Sequence, residues 1–336
     1  MQENKSQTLK YASLVVLTVQ NAVLIVSMRY SRTLSGDMFI TTTAVFLSES
    51  LKMVTCLVII FYQRKSFSAY SQHLYESIVV NWQDTLKMSV PAIVYALQNN
   101  LQYVAVSNLG AAVFQVTYQM KILTTALFSV LLLGKKLTML QWLSLVTLFC
   151  GVAVVQLSSE ATEKSSQEQH QIIGLVAVIL SCLSSGFAGV YFEKMLKGSS
   201  ASIWLRNVQL GMFGSLSALI GMFVKDCGAI RANGFFFGYT PLVVTVVIQQ
   251  ALGGLIVAVV VKYADNILKG FATSLSIIIS CIAAVFLFSF QLTPTFALGA
   301  VIVMVAIYLY GILQAPKPPS PVLPTSVSPK KNLTSI

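Results

Sequence analysis

Apolar residues fill this chain in long blocks with few interruptions. They predict ten membrane-spanning helices, at 9–30, 39–62, 85–107, 110–133, 139–157, 171–192, 203–224, 241–262, 267–290 and 294–313. Each block has about the 20 residues that a helix needs to cross a hydrocarbon core. The joints carry turn chemistry. Gly134-Lys135-Lys136 separates the fourth and fifth blocks, Ser107-Asn108-Leu109-Gly110 turns the third into the fourth, and Pro294 opens the tenth. The polar stretch 158–170, with Glu160, Glu163 and Glu168, leaves five predicted helices on either side. The organisation expected is therefore a first half at 1–157, an acidic loop at 158–170, a second half at 171–313, and a Pro- and Ser-rich tail at 314–336 that should be disordered.

Composition agrees with a membrane protein. Of 336 residues, 56% are hydrophobic and 10% charged, and the mean hydropathy is +0.77. A soluble domain carries about 25% charged residues, so two soluble domains are excluded. The net charge of +11 is scattered between apolar blocks rather than gathered on one face, which argues against nucleic acid as a partner. One alternating set of loops and ends holds most of the cations, among them Lys10, Arg64, Lys65, Lys135, Lys136, Arg206 and Lys262. The other set holds only Arg29, Arg32, Lys164, Lys225 and Arg231. The positive-inside rule then places both termini in the cytosol, as an even number of spans also requires. Asn4-Lys5-Ser6 and Asn332-Leu333-Thr334 match the glycosylation pattern but fall on that cytosolic side, so neither should be used. The five cysteines have no metal-ligand spacing and read as small apolar packers. The first apolar block is too long for a cleavable signal peptide.

The two halves resemble each other weakly. Leu137-Thr138 and Leu292-Thr293 each sit between two apolar blocks, at an offset of about 155 residues. With five spans per half, duplicated halves would insert in opposite senses, the arrangement of carriers whose central site opens to each side in turn. Chance similarity between apolar helices is the alternative.

The polar residues within the blocks carry the chemistry. Lys121 lies in mid-block, where a cation costs roughly 2.5–3.5 kcal/mol on insertion scales. Such a residue faces a protein interior or wet cavity, and it serves either as an anion ligand or as a structural counter-ion. Gln115, Tyr118 and Lys121, spaced by three, put amide, phenol and ammonium on one helix face. Lysine suits a phosphate oxygen, and aromatic rings can stack on a base. Tyr95, Asn99 and Gln102 repeat at i, i+4 and i+7 and predict a polar stripe along a cavity wall. Glu49 and Lys52, three apart, can pair on one face. Ser184-Ser185-Gly186-Phe187-Ala188-Gly189 and Gly253-Gly254 predict either close helix approach or room for a ligand. If Asp265 and Asn266 start the ninth helix, Lys269 falls in its first turn, where anions are favoured. An interfacial lysine is the other reading. No Walker motif, nucleophile elbow, HExxH or carboxylate-pair signature is present, and His73 and His170 fall in predicted loops.

Four segments resemble a known family: Tyr-Ala-Leu-Gln-Asn-Asn at 95–100, Phe-Gln-Val-Thr-Tyr-Gln-Met-Lys-Ile at 114–122, Gly-Phe-Ala-Gly-Val-Tyr-Phe-Glu-Lys at 186–194 and Lys-Tyr-Ala-Asp-Asn-Ile-Leu-Lys-Gly at 262–270. The chain, from about Leu9 to Gly311, is similar to the Golgi nucleotide-sugar transporters of the drug/metabolite transporter superfamily. The resemblance implies an all-α fold of ten transmembrane helices in two inverted five-helix repeats, in a multi-pass Golgi membrane protein. It also implies exchange of a cytosolic nucleotide sugar for a luminal nucleoside monophosphate, with no cofactor and no metal. Segments 197–200, 204–207 and 234–241 are most similar to the carriers of UDP-galactose, which would be exchanged for UMP. Phe114 stands where the CMP-sialic acid and UDP-N-acetylglucosamine members have Tyr, which weakens a CMP-sialic acid assignment and leaves UDP-N-acetylglucosamine, or both UDP-sugars, as the alternative. By the same resemblance Asn99, Tyr118, Lys121, Ser185, Gly186, Asn207 and Lys269 line the nucleotide site, with Lys121 and Lys269 on phosphate, while Glu49 and Lys52 stand on the sugar side. Gly211 stands where CMP-sialic acid carriers have Tyr, so no stacking role transfers there. The bilayer is the one obligatory environment, with self-association or contact with Golgi glycosyltransferases as further partners. A membrane-embedded glycosyltransferase using the same donor is the competing class, but it would need a catalytic carboxylate or base beside the phosphates.

Overall fold

The computed structural model of the protein describes residues 2–33, 37–109, 114, 117–159, 171–199, 201–288 and 293–312. Among them there are helices and no strands. In chain order the helices are α1 (Gln2–Thr33), α2 (Thr41–Arg64), α3 (Phe67–Leu74), α4 (Trp82–Lys87), α5 (Ser89–Asn108) and α6 (Lys121–Leu133). They continue with α7 (Met139–Ser159), α8 (Gln171–Lys197), α9 (Ile203–Asn233), α10 (Pro241–Tyr263), α11 (Asn266–Phe288) and α12 (Pro294–Ile312). A π-helical turn, Tyr75–Val80, joins α3 to α4. Among the described residues, six helices are long and apolar enough to cross a membrane: α1, α2, α8, α9, α10 and α11. The apolar stretches Lys121–Leu133, Met139–Val155 and Pro294–Tyr310 are shorter. The chain is thus a multi-pass membrane protein.

The acidic loop, with Glu160, Glu163, Lys164, Glu168 and His170, lies outside the described residues, as do the tail and Gln115. Three other expectations change. The segment expected as a loop after α2 is folded into α3, the π-turn and α4, so His73 lies on a helix. Arg206, grouped with the loop cations, is 1% exposed. Its guanidinium donates to Asp84 at 2.6 and 3.2 Å and to Gln209 Oε1 at 2.9 Å, while the Gln209 amide donates to Thr85 Oγ1 at 3.0 Å. This network ties the α3–α4 segment to α9, and a buried cation of this kind must be paired. We expect Asp84→Ala to cost about 3 kcal/mol by stranding the guanidinium, read as a lower thermal midpoint in detergent.

The third change concerns the fourth predicted span. The expected helix runs unbroken from 110 to 133, whereas α6 starts at Lys121. Ahead of it the N–H groups of Met120 and Ile122 donate to Thr117 and Gln119, each three residues back, at 3.0 Å. This tight turn interrupts the i→i−4 ladder and leaves Lys121 at a helix N-terminus, the positive end of the helix dipole.

The long helices pair in a regular way. α7 packs on α12, α2 on α9, α5 and α6 on α8, and α10 and α11 on α1, with lesser contacts between α2 and α10 and between α5 and α9. Exchanging α1, α2, α5, α6 and α7 with α8, α9, α10, α11 and α12, in that order, maps this set of pairs onto itself. Small residues allow the closest approaches. A Cβ at Gly299 of α12 would lie 2.7 Å from the Val155 nitrogen of α7.

Candidate anion and nucleotide site

The centre of the site is Tyr118. Its hydroxyl accepts from the Gln98 and Gln102 amides of α5, each at 2.9 Å, with the Ser185 side chain of α8 as a further partner. Its ring stacks on Phe114, centroids 5.6 Å apart and planes 11° from parallel. The Lys121 ammonium lies over the ring at 4.3 Å from its centroid, a cation–π contact. A single phenol therefore gathers two amides, an ammonium and a second ring.

The face of α5 turned to Tyr118 differs by one position from the expected stripe. Gln98 is buried and meets the phenol together with Gln102, whereas Asn99 is exposed and makes no hydrogen bond among the described residues. Six polar residues crowd positions 95–103 of this helix, and only the position of Tyr118 selects among its faces. Gln98 Oε1 is buried and has no partner among the described residues.

Helix α8 forms the next wall. Thr124 Oγ1 donates to the Cys182 carbonyl at 2.7 Å, and the Cys182 thiol donates to the Tyr118 carbonyl at 3.4 Å. Gly186 explains how α6 and α8 come so near. A Cβ there would lie 2.7 Å from Thr124 Oγ1 and 2.8 Å from the Thr124 carbonyl carbon. The structure thus gives Gly186 a packing role beneath the site, with Ser185 beside it facing the phenol.

Asp265 and Asn266 begin α11 as expected. Asp265 Oδ1 accepts from the Leu268 N–H at 2.8 Å, an N-terminal cap. Lys269 follows in the first turn, and Ile122 beside Lys121 packs in one cluster with Ile267 and Leu268, so the two lysines stand on adjoining helices. Among the described residues neither makes an ion pair. Two such cations, neither of them ion-paired among the described residues, suit a polyatomic anion.

Asn207 is brought to the interior of α9, but its amide donates to the Ile203 carbonyl of its own helix at 2.9 Å and the residue is 1% exposed. Glu49 and Lys52 pair as expected, at 2.5 Å. Two glycines absent from the expected site make space for them. A Cβ at Gly214 of α9 would stand 2.8 Å from the Glu49 carboxylate, and one at Gly254 of α10 would stand 2.9 Å from Lys52 Cδ. Sequence reasoning held Gln98 in the segment 95–100 but left it off the stripe, and it missed Cys182, Thr124 and Gly214. Their signal is small or polar residues at helical spacing, which any tight helix pair also produces.

The chain is similar to known proteins over most of its length. The profile of the family described as "Nucleotide-sugar transporter" matches residues 5–311. The mouse UDP-galactose translocator is 59% identical over 306 residues, covering 90% of this chain and 78% of that protein. The human UDP-galactose translocator is 58% identical, covering 90% and 77%. The rat UDP-N-acetylglucosamine transporter is 52% identical over 320 residues, covering 93% and 98%. A crystal structure 11% identical in sequence, with a TM-score of 0.62 over 90% of this chain and 97% of that one, shares the fold. Matched by that profile over residues 5–311, and 58–59% identical to these translocators, the chain belongs to the nucleotide-sugar transporter family.

Proposed function

We propose that the protein carries UDP-galactose from the cytosol into the Golgi lumen in exchange for UMP. The observation that carries this reading is the convergence of Lys121 and Lys269, without a carboxylate partner among the described residues, beside the Phe114–Tyr118 stack. Two ammonium groups suit a phosphate, the stacked rings suit a base, and the free Gln98 acceptor suits an N–H on that base's edge. Ser185, beside the phenol, belongs to the nucleotide side, Asn99 and Asn207 are assigned there by the family resemblance alone, Gly186 lets the helices close around it, and Glu49 and Lys52 form the sugar side. The identity of 58–59% to translocators named for UDP-galactose favours that sugar. The 52% identity to transporters named for UDP-N-acetylglucosamine supports that sugar as the second reading. Both nucleotides carry roughly two negative charges at neutral pH, so exchange can proceed with little net movement of charge.

The architecture that goes with this function is ten spans in two inverted five-helix halves, 1–157 and 171–313. The pairwise exchange symmetry of the helix contacts supports it. An inverted pair of halves around a midplane anion site is the plan of an alternating-access carrier. Both termini are then cytosolic. Protease added to sealed Golgi vesicles is expected to remove a C-terminal epitope tag; a tag protected until detergent is added contradicts the topology.

The substrate is tested with purified protein in proteoliposomes loaded with UMP and offered a panel of labelled nucleotide sugars. Uptake of UDP-galactose above the others is the expected result. Preference for UDP-N-acetylglucosamine establishes the second reading, and release of free sugar or a glycosylated product points to a transferase instead.

A further inference from the structure

One acidic side chain is wholly buried outside the anion site. Glu193, close to the C-terminal end of α8, is 0% exposed. Its Oε1 accepts from Lys135 Nζ at 3.0 Å and from Lys197 Nζ at 2.8 Å. Its Oε2 accepts from the backbone N–H of Asn266 at 2.9 Å and from the Asn266 side-chain amide at 3.3 Å. Lys135 also pairs with Asp265 at 3.1 Å, and Lys197 donates to the Ala264 carbonyl at 2.5 Å. The Asn266 amide donates as well to the Gly189 carbonyl of α8.

Two lysines and two carboxylates balance in charge. Burial works against the Lys135 ammonium, yet the Asp265 and Glu193 carboxylates hold it above the usual lysine range. Burial likewise works against the Asp265 carboxylate, but Lys135, the Leu268 N–H and Lys197 keep it below the usual carboxylate range. A buried carboxylate stripped of its partners is strongly unfavourable, so the cluster holds or opens as a unit.

Its position in the fold gives this a consequence. Lys135 follows the C-terminal end of α6, whose other end is Lys121. Asp265 and Asn266 open α11, whose first turn carries Lys269. The cluster therefore joins the ends of α6, α8 and α11 on one side of the anion site. Moreover, α6 and α11 are partners under the helix exchange described above, so movement between them at this end is what alternate opening requires.

We infer that Glu193 is a positioning residue for transport: it pins the first turn of α11 to α8 and to the Lys135 connection, holding that end of the site closed, and the site opens there only when Glu193 releases Lys135 and Asn266. The inference rests on the exchange reading, in which the Lys135 end faces the cytosol. A carrier held shut at its cytosolic end is biased toward the lumen-open state. Weakening the clamp shifts the population toward the cytosol-open state. Apparent affinity then improves for ligand on the cytosolic face and worsens on the luminal face, because both draw on one equilibrium. A merely structural role for Glu193 would lower the amount of active protein or weaken both faces together.

The test uses the full chain, reconstituted in one orientation, as wild type, Glu193→Gln and Lys135→Gln. Half-saturating UDP-galactose is measured on the cytosolic face at fixed luminal UMP, and half-saturating UMP on the luminal face at fixed UDP-galactose. Both variants are expected to lower the first and raise the second, each by about fivefold, a typical coupling between two sites. Lys135 is partly exposed, so its variant decides the matter if Glu193→Gln does not fold. Shifts in the same direction on both faces, or none in a transporting variant, overturn the inference. Opposite shifts with the signs exchanged support the clamp and contradict the cytosolic placement of that end. A wild type that exchanges no nucleotide sugar overturns the exchange reading and this inference with it.

Discussion

Lys121→Ala is expected to abolish nucleotide-sugar exchange while the protein remains folded and membrane-inserted. The ammonium makes no ion pair among the described residues, and its recorded partner is the Tyr118 ring. Removing it in the absence of ligand therefore sacrifices one cation–π contact and removes a half-buried cation with no ion pair among the described residues. The unfolding midpoint without ligand should stay level or rise. With ligand the balance reverses, because a phosphate in a poorly hydrated site loses a charge-assisted hydrogen bond worth about 1.5–3 kcal/mol. That is a loss of affinity of at least tenfold. Thermal stabilisation by UMP, which depends on binding to the folded state, should disappear with transport. Near-normal uptake and UMP stabilisation in this variant would remove Lys121 from the site.

Gly186→Val should be equally damaging by a different route. The new side chain would occupy the space of Thr124 Oγ1 and of the Thr124–Thr125 backbone, so no rotamer change in α6 can relieve it. Overpacking of this sort costs about 1–3 kcal/mol and displaces the helix that carries Lys121. The expected result is loss of exchange together with a lower thermal midpoint, the reverse of the Lys121→Ala pattern. Full activity in Gly186→Val would mean that α6 and α8 do not meet as described.

The two variants also separate what the sequence could reveal from what it could not. Long apolar blocks located α2, α8, α10 and α11 within a few residues, because a bilayer demands an uninterrupted apolar length and little else. The start of α11 was legible as well, since Asp265 is a capping residue acting over three positions. By contrast, the α3–α4 segment has no apolar run longer than Ile78-Val79-Val80, and its helices are held by distant partners: the Arg206–Asp84 pair and the packing of Tyr70, Leu74 and Ile78 on α2 and α9 residues. The break before Lys121 depends on backbone bonds three residues back and leaves no mark in hydropathy. Within the site, the types Tyr118, Lys121 and Lys269 were legible from the cost of polar groups in a membrane. Which face of α5 meets them was not, because Gln98 and Asn99 are chemically alike and only the fold decides between them. Gly253-Gly254 signalled a close approach, but neither that pair nor Gly214 identifies Lys52 and Glu49, helices apart in sequence, as the groups approached. Glu193 followed by Lys194 reads as the polar end of a span, and its burial comes from Lys135, 58 residues away.

The central claim is that Lys121 and Lys269 form a shared phosphate site that enforces exchange. Closing an empty cavity around two cations is costly, and a bound phosphate removes that cost. The most direct measurement is initial uptake of labelled UDP-galactose into proteoliposomes with and without internal UMP, for wild type and Lys269→Gln. The account predicts that internal UMP accelerates uptake by the wild type. In Lys269→Gln it predicts weaker nucleotide binding and a smaller ratio of UMP-stimulated to unstimulated uptake. An unchanged ratio with nucleotide binding intact would contradict it, leaving Lys269 as an interfacial lysine.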